Sequence, residues 1–186
     1  MSISIEPTST TTSSGAALPL AVLPQGELLT VNEADNPLLR DALGPGVHFK
    51  PRRLDLEASC WVVLAVLSPG ATLPIHYHTG TAEAYTISGR WYYLEYPDQP
   101  QTAGSYLYEP GGSVHTFVCP ESNTEDTVIF IRVEGANISF TEDGQFHSIL
   151  DAVMIRHLIS IITGSQEVGS VNYISGSNAG LIGTEA

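Results

Sequence analysis

Cysteine and positive charge are what this sequence has least of. Cys60 and Cys119 are the only cysteines in 186 residues, too few for a disulfide framework or a cysteine-rich structural zinc site, and an intracellular chain with free thiols is the simpler reading. Seven Lys and Arg stand against twenty Asp and Glu, a net charge of −13 at pH 7. A surface that negative repels phosphate backbones and anionic headgroups, so neither nucleic acid nor a membrane is an expected partner. Long apolar runs are also missing. No stretch is long enough to span a bilayer, and the apolar segment 16–23 is broken by Pro19 with no Lys or Arg before it, which makes a poor secretory signal. A cytoplasmic location is expected.

Turn chemistry, by contrast, is plentiful. Seventeen Gly and twelve Pro separate short apolar blocks, a pattern that favours strands and tight turns over helices, in a chain large enough to bury one core. The expected fold class is all-β in a single domain. Residues 1–17, rich in Ser and Thr, read as a disordered arm or one that orders on a partner subunit. Residues 18–165 form the domain, closing with a helix, and 166–186 form a flexible tail. Strands are expected at 47–56, 59–67, 72–78, 82–88, 90–96, 105–109 and 127–134. Residues 136–141 are expected to pair with the last of these around a 142–144 turn, before an amphipathic helix over 150–163. Lys50, Arg52 and Arg53 gather three of the seven basic residues on one strand. They form a solvated face offsetting local acids, or a hook for an anionic substrate.

The chemistry concentrates between Gly70 and Cys119. His76 and His78 are two apart on a strand, so their side chains share a face and can take adjacent positions on one metal ion. His115 follows a Pro110-Gly111-Gly112 turn that can fold it back opposite the pair. Neutral imidazoles suit first-row metals such as Fe, Mn, Ni, Cu or Zn. Three of them leave positions open on a six-coordinate ion, which is the arrangement of catalysis rather than scaffolding. Glu83 is a possible fourth ligand: facing it inward also turns Tyr85 and Ile87 inward and gives the better apolar split. Otherwise Glu83 is a base behind the ligands or a surface residue. Cys119 reads as a buried small hydrophobe or a thiol near the metal.

The frame Gly70-x5-His76-Tyr77-His78-x4-Glu83, then Gly89, then Gly104-x5-Pro110-Gly111-Gly112-x2-His115 resembles the paired motifs of the cupin superfamily. Over a longer span, the runs His76-x-His78-Thr79-Gly80, Ala84-Tyr85-Thr86-Ile87-x-Gly89-x-Trp91 and Glu109-Pro110-x-Gly112-Ser113-Val114-His115-Thr116 are similar to the 2,4'-dihydroxyacetophenone dioxygenase family and its ChrR-like cupin relatives. That resemblance implies a jelly-roll barrel and a non-haem Fe(II) enzyme whose triad is His76, His78 and His115. It implies a small-molecule substrate and O2, both oxygen atoms entering the C–C bond between a ketone and a hydroxylated carbon, and a homodimer. Glu83, Glu109 and Tyr85 are the candidates for the base that deprotonates substrate. Trp61, Trp91, Tyr93 and Tyr106 are the candidates for an apolar shell around it. Two other classes stay open: a redox-neutral isomerase, cyclase or lyase using the metal as a Lewis acid, and a zinc-binding sensory module.

Overall fold

The computed structural model describes residues 4–5, 11–18, 28–34, 36–165, 168–176 and 180–183. Two short strands come first, β1 (Ser4–Ile5) and β2 (Leu28–Leu29), paired with each other. The body follows with β3 (Val47–Asp55), β4 (Cys60–Leu67), β5 (Thr72–His78), β6 (Ala82–Ser88), β7 (Arg90–Tyr93), β8 (Gln101–Thr102), β9 (Tyr106–Glu109), β10 (Val114–Val118) and β11 (Thr127–Glu134). It ends with β12 (Asn137–Phe140), β13 (Phe146–Leu150), the helix α1 (Ala152–Ser165), β14 (Asn172–Ser175) and β15 (Gly180–Gly183).

Two sheets result. One runs β13-β12-β5-β10-β7-β8 and the other β15-β14-β3-β4-β11-β6-β9. Alternation along each strand turns one set of side chains into the space between them. On β4 that set is Trp61, Val63, Ala65 and Leu67, and on β11 it includes Ile129 and Val133. The core divides into an end capped by the helix, around Phe49, Trp61 and Ile155, and an end built on Leu67, Trp91, Phe117 and Ile129. Helix α1 buries Ala152, Ile155, Ile159 and Ile162, one face at helical spacing. Asp151 caps it, its Oδ1 accepting the Met154 N–H at 2.7 Å.

Three expectations are corrected. Residues 136–141 were to pair with 127–134. The strand there, β12, instead pairs with β13 across the 142–144 turn and with β5 on its other side, so the chain changes sheets at Gly135. The flexible tail is part of the sheet where it is described. β14 runs parallel to β3, with Ile174 opposite Arg53, and Val171 and Tyr173 are buried in the helix-capped core. Apolar side chains on that segment win burial that its Gly- and Ser-rich surroundings hide. The basic strand offers no free hook: Lys50 and Arg52 both bind Glu33, and Arg53 binds Asp55 at 3.0 Å. Of the expected arm, Thr11 bridges Ala17, while 1–3 and 6–10 lie outside the described residues.

Candidate metal centre

β5 lies between β10 and β12, with His76 opposite His115 on one side and His78 opposite Asn137 on the other. The turn at Pro110–Ser113 is tied to β5 by the His78 N–H donating to Ser113 O and the Gly112 N–H donating to His78 O. That turn returns the chain so that His115 points back at the pair. A bulge between His115 and Phe117 breaks the β10–β5 register. Thr116, inside it, donates its N–H and Oγ1–H to the Glu95 carboxylate, both at 2.9 Å.

The three histidines are buried, and their ligand atoms all lie within 4.8 Å of one another. His78 Nε2 and His115 Nε2 are 3.0 Å apart. Glu109 Oε2 lies 3.1 Å from the first and 3.4 Å from the second. A first-row metal holds imidazole nitrogen at about 2.1 Å, so two donors at right angles stand about 3.0 Å from each other. The spacing of these three atoms is that of adjacent donors on one ion. His76 Nδ1 donates to Pro74 O at 2.9 Å, which leaves its Nε2 with a free lone pair.

Electrostatics point the same way. Burial lowers the proton affinity of all three histidines, His78 to about 4 and His115 to about 3, with neighbouring imidazoles adding to the effect on those two. They are neutral and ready to ligate at neutral pH. Burial raises the Glu109 carboxyl above its usual range, against a hydrogen bond from the Tyr93 hydroxyl to Oε1. The other oxygen, Oε2, is buried without a hydrogen-bond partner among the described residues. A carboxylate oxygen with no donor, set against two neutral nitrogens, is a setting that suits a cation. The residues present therefore fit a metal ion.

Glu83 and Tyr85 are not in this group. β6 turns Ala82, Ala84 and Thr86 inward, and Glu83, Tyr85 and Ile87 outward. The apolar-split argument fails because the inner face is crowded: Trp91 Nε1 donates to Thr86 Oγ1 at 2.9 Å, and small neighbours make that room. Meanwhile the outer face is itself aromatic, with Tyr85 opposite Tyr106 on β9 and Phe130 on β11. Glu83 sits across from Arg132 on that face. Tyr106, 62% exposed, is likewise removed from the shell, whereas Trp61, Trp91 and Tyr93 stay inside. Ala82 occupies the inward position of β6, and its cross-strand partner is Glu109. The carboxylate thus reaches the ion's place from the neighbouring strand. Cys119 is buried in the core against Thr127 and Asn123, apart from the histidines.

Tyr93 was readable in the sequence only as part of the apolar shell, and Glu95 went unread. Tyr93 holds Glu109 and stacks on His115, ring centroids 3.7 Å apart. Glu95, whose charge is felt by His76, anchors the bulge. The alternation Trp91, Tyr93, Glu95 was the signal available. The site has two adjoining spaces. An outer groove of about 220 Å³ is lined by Tyr93, Tyr96, Tyr108, Gln99, Gln101 and His115. An inner chamber of about 80 Å³ reaches His76 and His78. Tyr93 and Glu109 stand between them.

No curated protein matches the chain. Among solved structures, a cupin-like protein from Ralstonia eutropha is 41% identical, covering 89% of this chain and 99% of its own, with a TM-score of 0.77. An RmlC-like cupin from the same organism is 23% identical over 75% of this chain and 88% of its own, TM-score 0.69. An acetylacetone dioxygenase from Acinetobacter johnsonii shares the fold at 14% identity, with 76% and 95% covered and a TM-score of 0.62. The ChrR cupin-like domain model matches residues 31–136, more than half of the sequence, and so this chain, with its two-sheet barrel and paired histidine motifs, belongs to the ChrR cupin-like family.

Proposed function

We propose that this protein is a non-haem Fe(II) dioxygenase that cleaves a C–C bond in a small hydroxyketone. The observation that carries the reading is the buried set of three neutral imidazoles and one orphaned carboxylate oxygen, placed beside a groove lined by tyrosines and amides. A closed structural site would offer no such approach. In balance, the ketone and O2 give two carboxylic acids, one from the carbonyl carbon and one from the carbinol carbon. Iron held by His76, His78 and His115 would supply the means of passing electrons between substrate and O2.

The chain's own residues do the rest. Gln99 and Gln101 can orient polar groups of the substrate in the groove, with Tyr96 and Tyr108 against its flat faces. Glu109 Oε2, 3.1 and 3.4 Å from the His78 and His115 nitrogens, would complete the set that holds the ion. Tyr93 keeps Oε1 fixed meanwhile. Neighbouring Trp91 and Phe117, stacked 4.9 Å apart, keep water from the inner side.

The test is turnover of aromatic and aliphatic hydroxyketones by iron-loaded protein, aerobically and anaerobically, with metal content measured. Uptake of one O2 for every two molecules of carboxylic acid formed supports the reading. Turnover that persists without O2 replaces it with a redox-neutral reaction, and tight zinc without turnover replaces it with a sensory role. A homodimer is proposed as well; sedimentation equilibrium at a single monomer mass overturns it.

A further inference from the structure

We propose that the inner chamber is a binding site for a small apolar gas, and that in the working enzyme it holds O2 on the side of the metal centre away from the organic substrate. The second half rests on the dioxygenase reading; the first does not.

Three features of the structure carry this. The first is the separation of the two spaces. The groove meets the centre at His115, the chamber meets it at His76 and His78, and the two share only Tyr93 and Glu109 among their lining residues. A ligand in one does not displace a ligand in the other. The second is chemistry. The groove mixes amides, phenols and Ser113 with Leu107, Pro110 and Val114, which suits an oxygenated molecule with an apolar part. Away from the histidines, the chamber is walled by Val63, Ala65, Leu67, Trp91, Phe117 and Ile129, all buried. Trp91 spends its one donor on Thr86 and offers nothing to the chamber. His48, also on the wall, accepts the Asp41 N–H at its Nδ1 and faces Ser68 with its Nε2. Water placed at the apolar end finds no partners, and such cavities stay dry.

The third is size. An engineered apolar cavity of about 150 Å³ takes benzene or xenon. At about 80 Å³, this chamber is near half that, enough for a diatomic molecule or a xenon atom and too small for a substituted ring. The aromatic part of any substrate therefore belongs in the groove. Two unpartnered polar atoms, His78 Nδ1 and Asn137 Oδ1, lie on opposed residues of β5 and β12 and confine polarity to the metal end.

Xenon is the probe. Crystals of the full chain pressurised with xenon are expected to show it between Ala65, Trp91 and Ile129; a chamber that stays empty or holds ordered water overturns the proposal. Ala65→Leu fills the space, and Ala65→Val does so partly should the larger side chain impair folding. Both are expected to lower xenon occupancy and to raise the KM for O2 several-fold, leaving metal content and the KM for the organic substrate unchanged. An O2 dependence identical in the wild type and both variants overturns the role in catalysis. If xenon binds but iron-loaded protein consumes no O2, the dioxygenase reading fails while the gas site stands.

Discussion

At the scale of single residues, Glu109 is the position on which the centre turns. Its carboxylate is buried, raised in proton affinity by that burial, and half unpartnered. Removing the charge relieves a desolvation cost in the metal-free protein but deletes a donor to the ion. Glu109→Gln is thus expected to hold or raise the Tm of metal-free protein while weakening metal binding by roughly 10- to 100-fold, read by scanning calorimetry and by competition with a chelating dye. A variant that binds metal as tightly as wild type sinks the donor assignment. Glu83→Gln is the contrasting case. It faces Arg132, which keeps Glu134 at 2.5 Å, and an exposed pair of this kind contributes about 0–1 kcal/mol. Metal content should not change, as plasma emission analysis can check.

At the scale of elements, turns and corners decide where the ligands point. Gly80 ends the β5 turn so close to β11 that a Cβ would stand 2.3 Å from Glu134 O. Gly89 has φ +78° between β6 and β7, and a Cβ there would meet the Thr127 Cα at 2.7 Å. Neither backbone contact can yield cheaply. Gly80→Ala and Gly89→Ala should each destabilise by roughly 1–3 kcal/mol, measured by urea titration, with Gly80→Ala also loosening metal binding because His78 is two residues away. The β3–β4 hairpin supplies a pH-dependent case. The Ala58 N–H, with Arg53, holds the Asp55 carboxyl below its usual range despite burial. A lowered folded value means stabilisation present above the unfolded pKa of about 3.9 and lost as pH falls from there through the folded value. Asp55→Asn should therefore be less stable than wild type at pH 7, with the gap closing below about pH 4. A gap that is constant with pH would show that the charge is not what holds the turn.

Legibility also divides by element. The strands at 72–78 and 82–88 were readable to the residue, since Pro-Gly and Thr-Gly punctuation bounds them. The inward face of β6 was not. Its alternation is unambiguous, but which phase points in depends on what fills the barrel: Ala84 packs with Trp91 and Phe117, and Ala82 packs in the helix-capped end. β12 was mispaired for a related reason: adjacency in sequence favours β11, while the change of sheets at Gly135 takes it to β5.

At the scale of the whole molecule, one ion would join β5, β9 and β10, which belong to both sheets. Ligand that binds only the folded state stabilises by mass action, by about 2.7 kcal/mol at a hundredfold excess over Kd. Chelator treatment should lower Tm and re-addition of iron restore it, with little change in far-ultraviolet circular dichroism, because the hydrophobic core is independent of the centre. An unaltered Tm on stripping and reloading would mean that the three histidines do not share an ion. Among described residues no helix is long and apolar enough to cross a membrane.

The sequence alone determined the all-β class, the strand that carries His76 and His78, and the turn that brings His115 to them. These follow from local rules: a two-residue period, Gly and Pro at turns, imidazole chemistry. Only the tertiary structure decided that Ala82 faces in, that Glu109 comes across from the next strand to stand beside the histidines, and that Tyr93 holds it. Those depend on which strands become neighbours and on the volume left between two sheets, quantities that no stretch of chain specifies by itself.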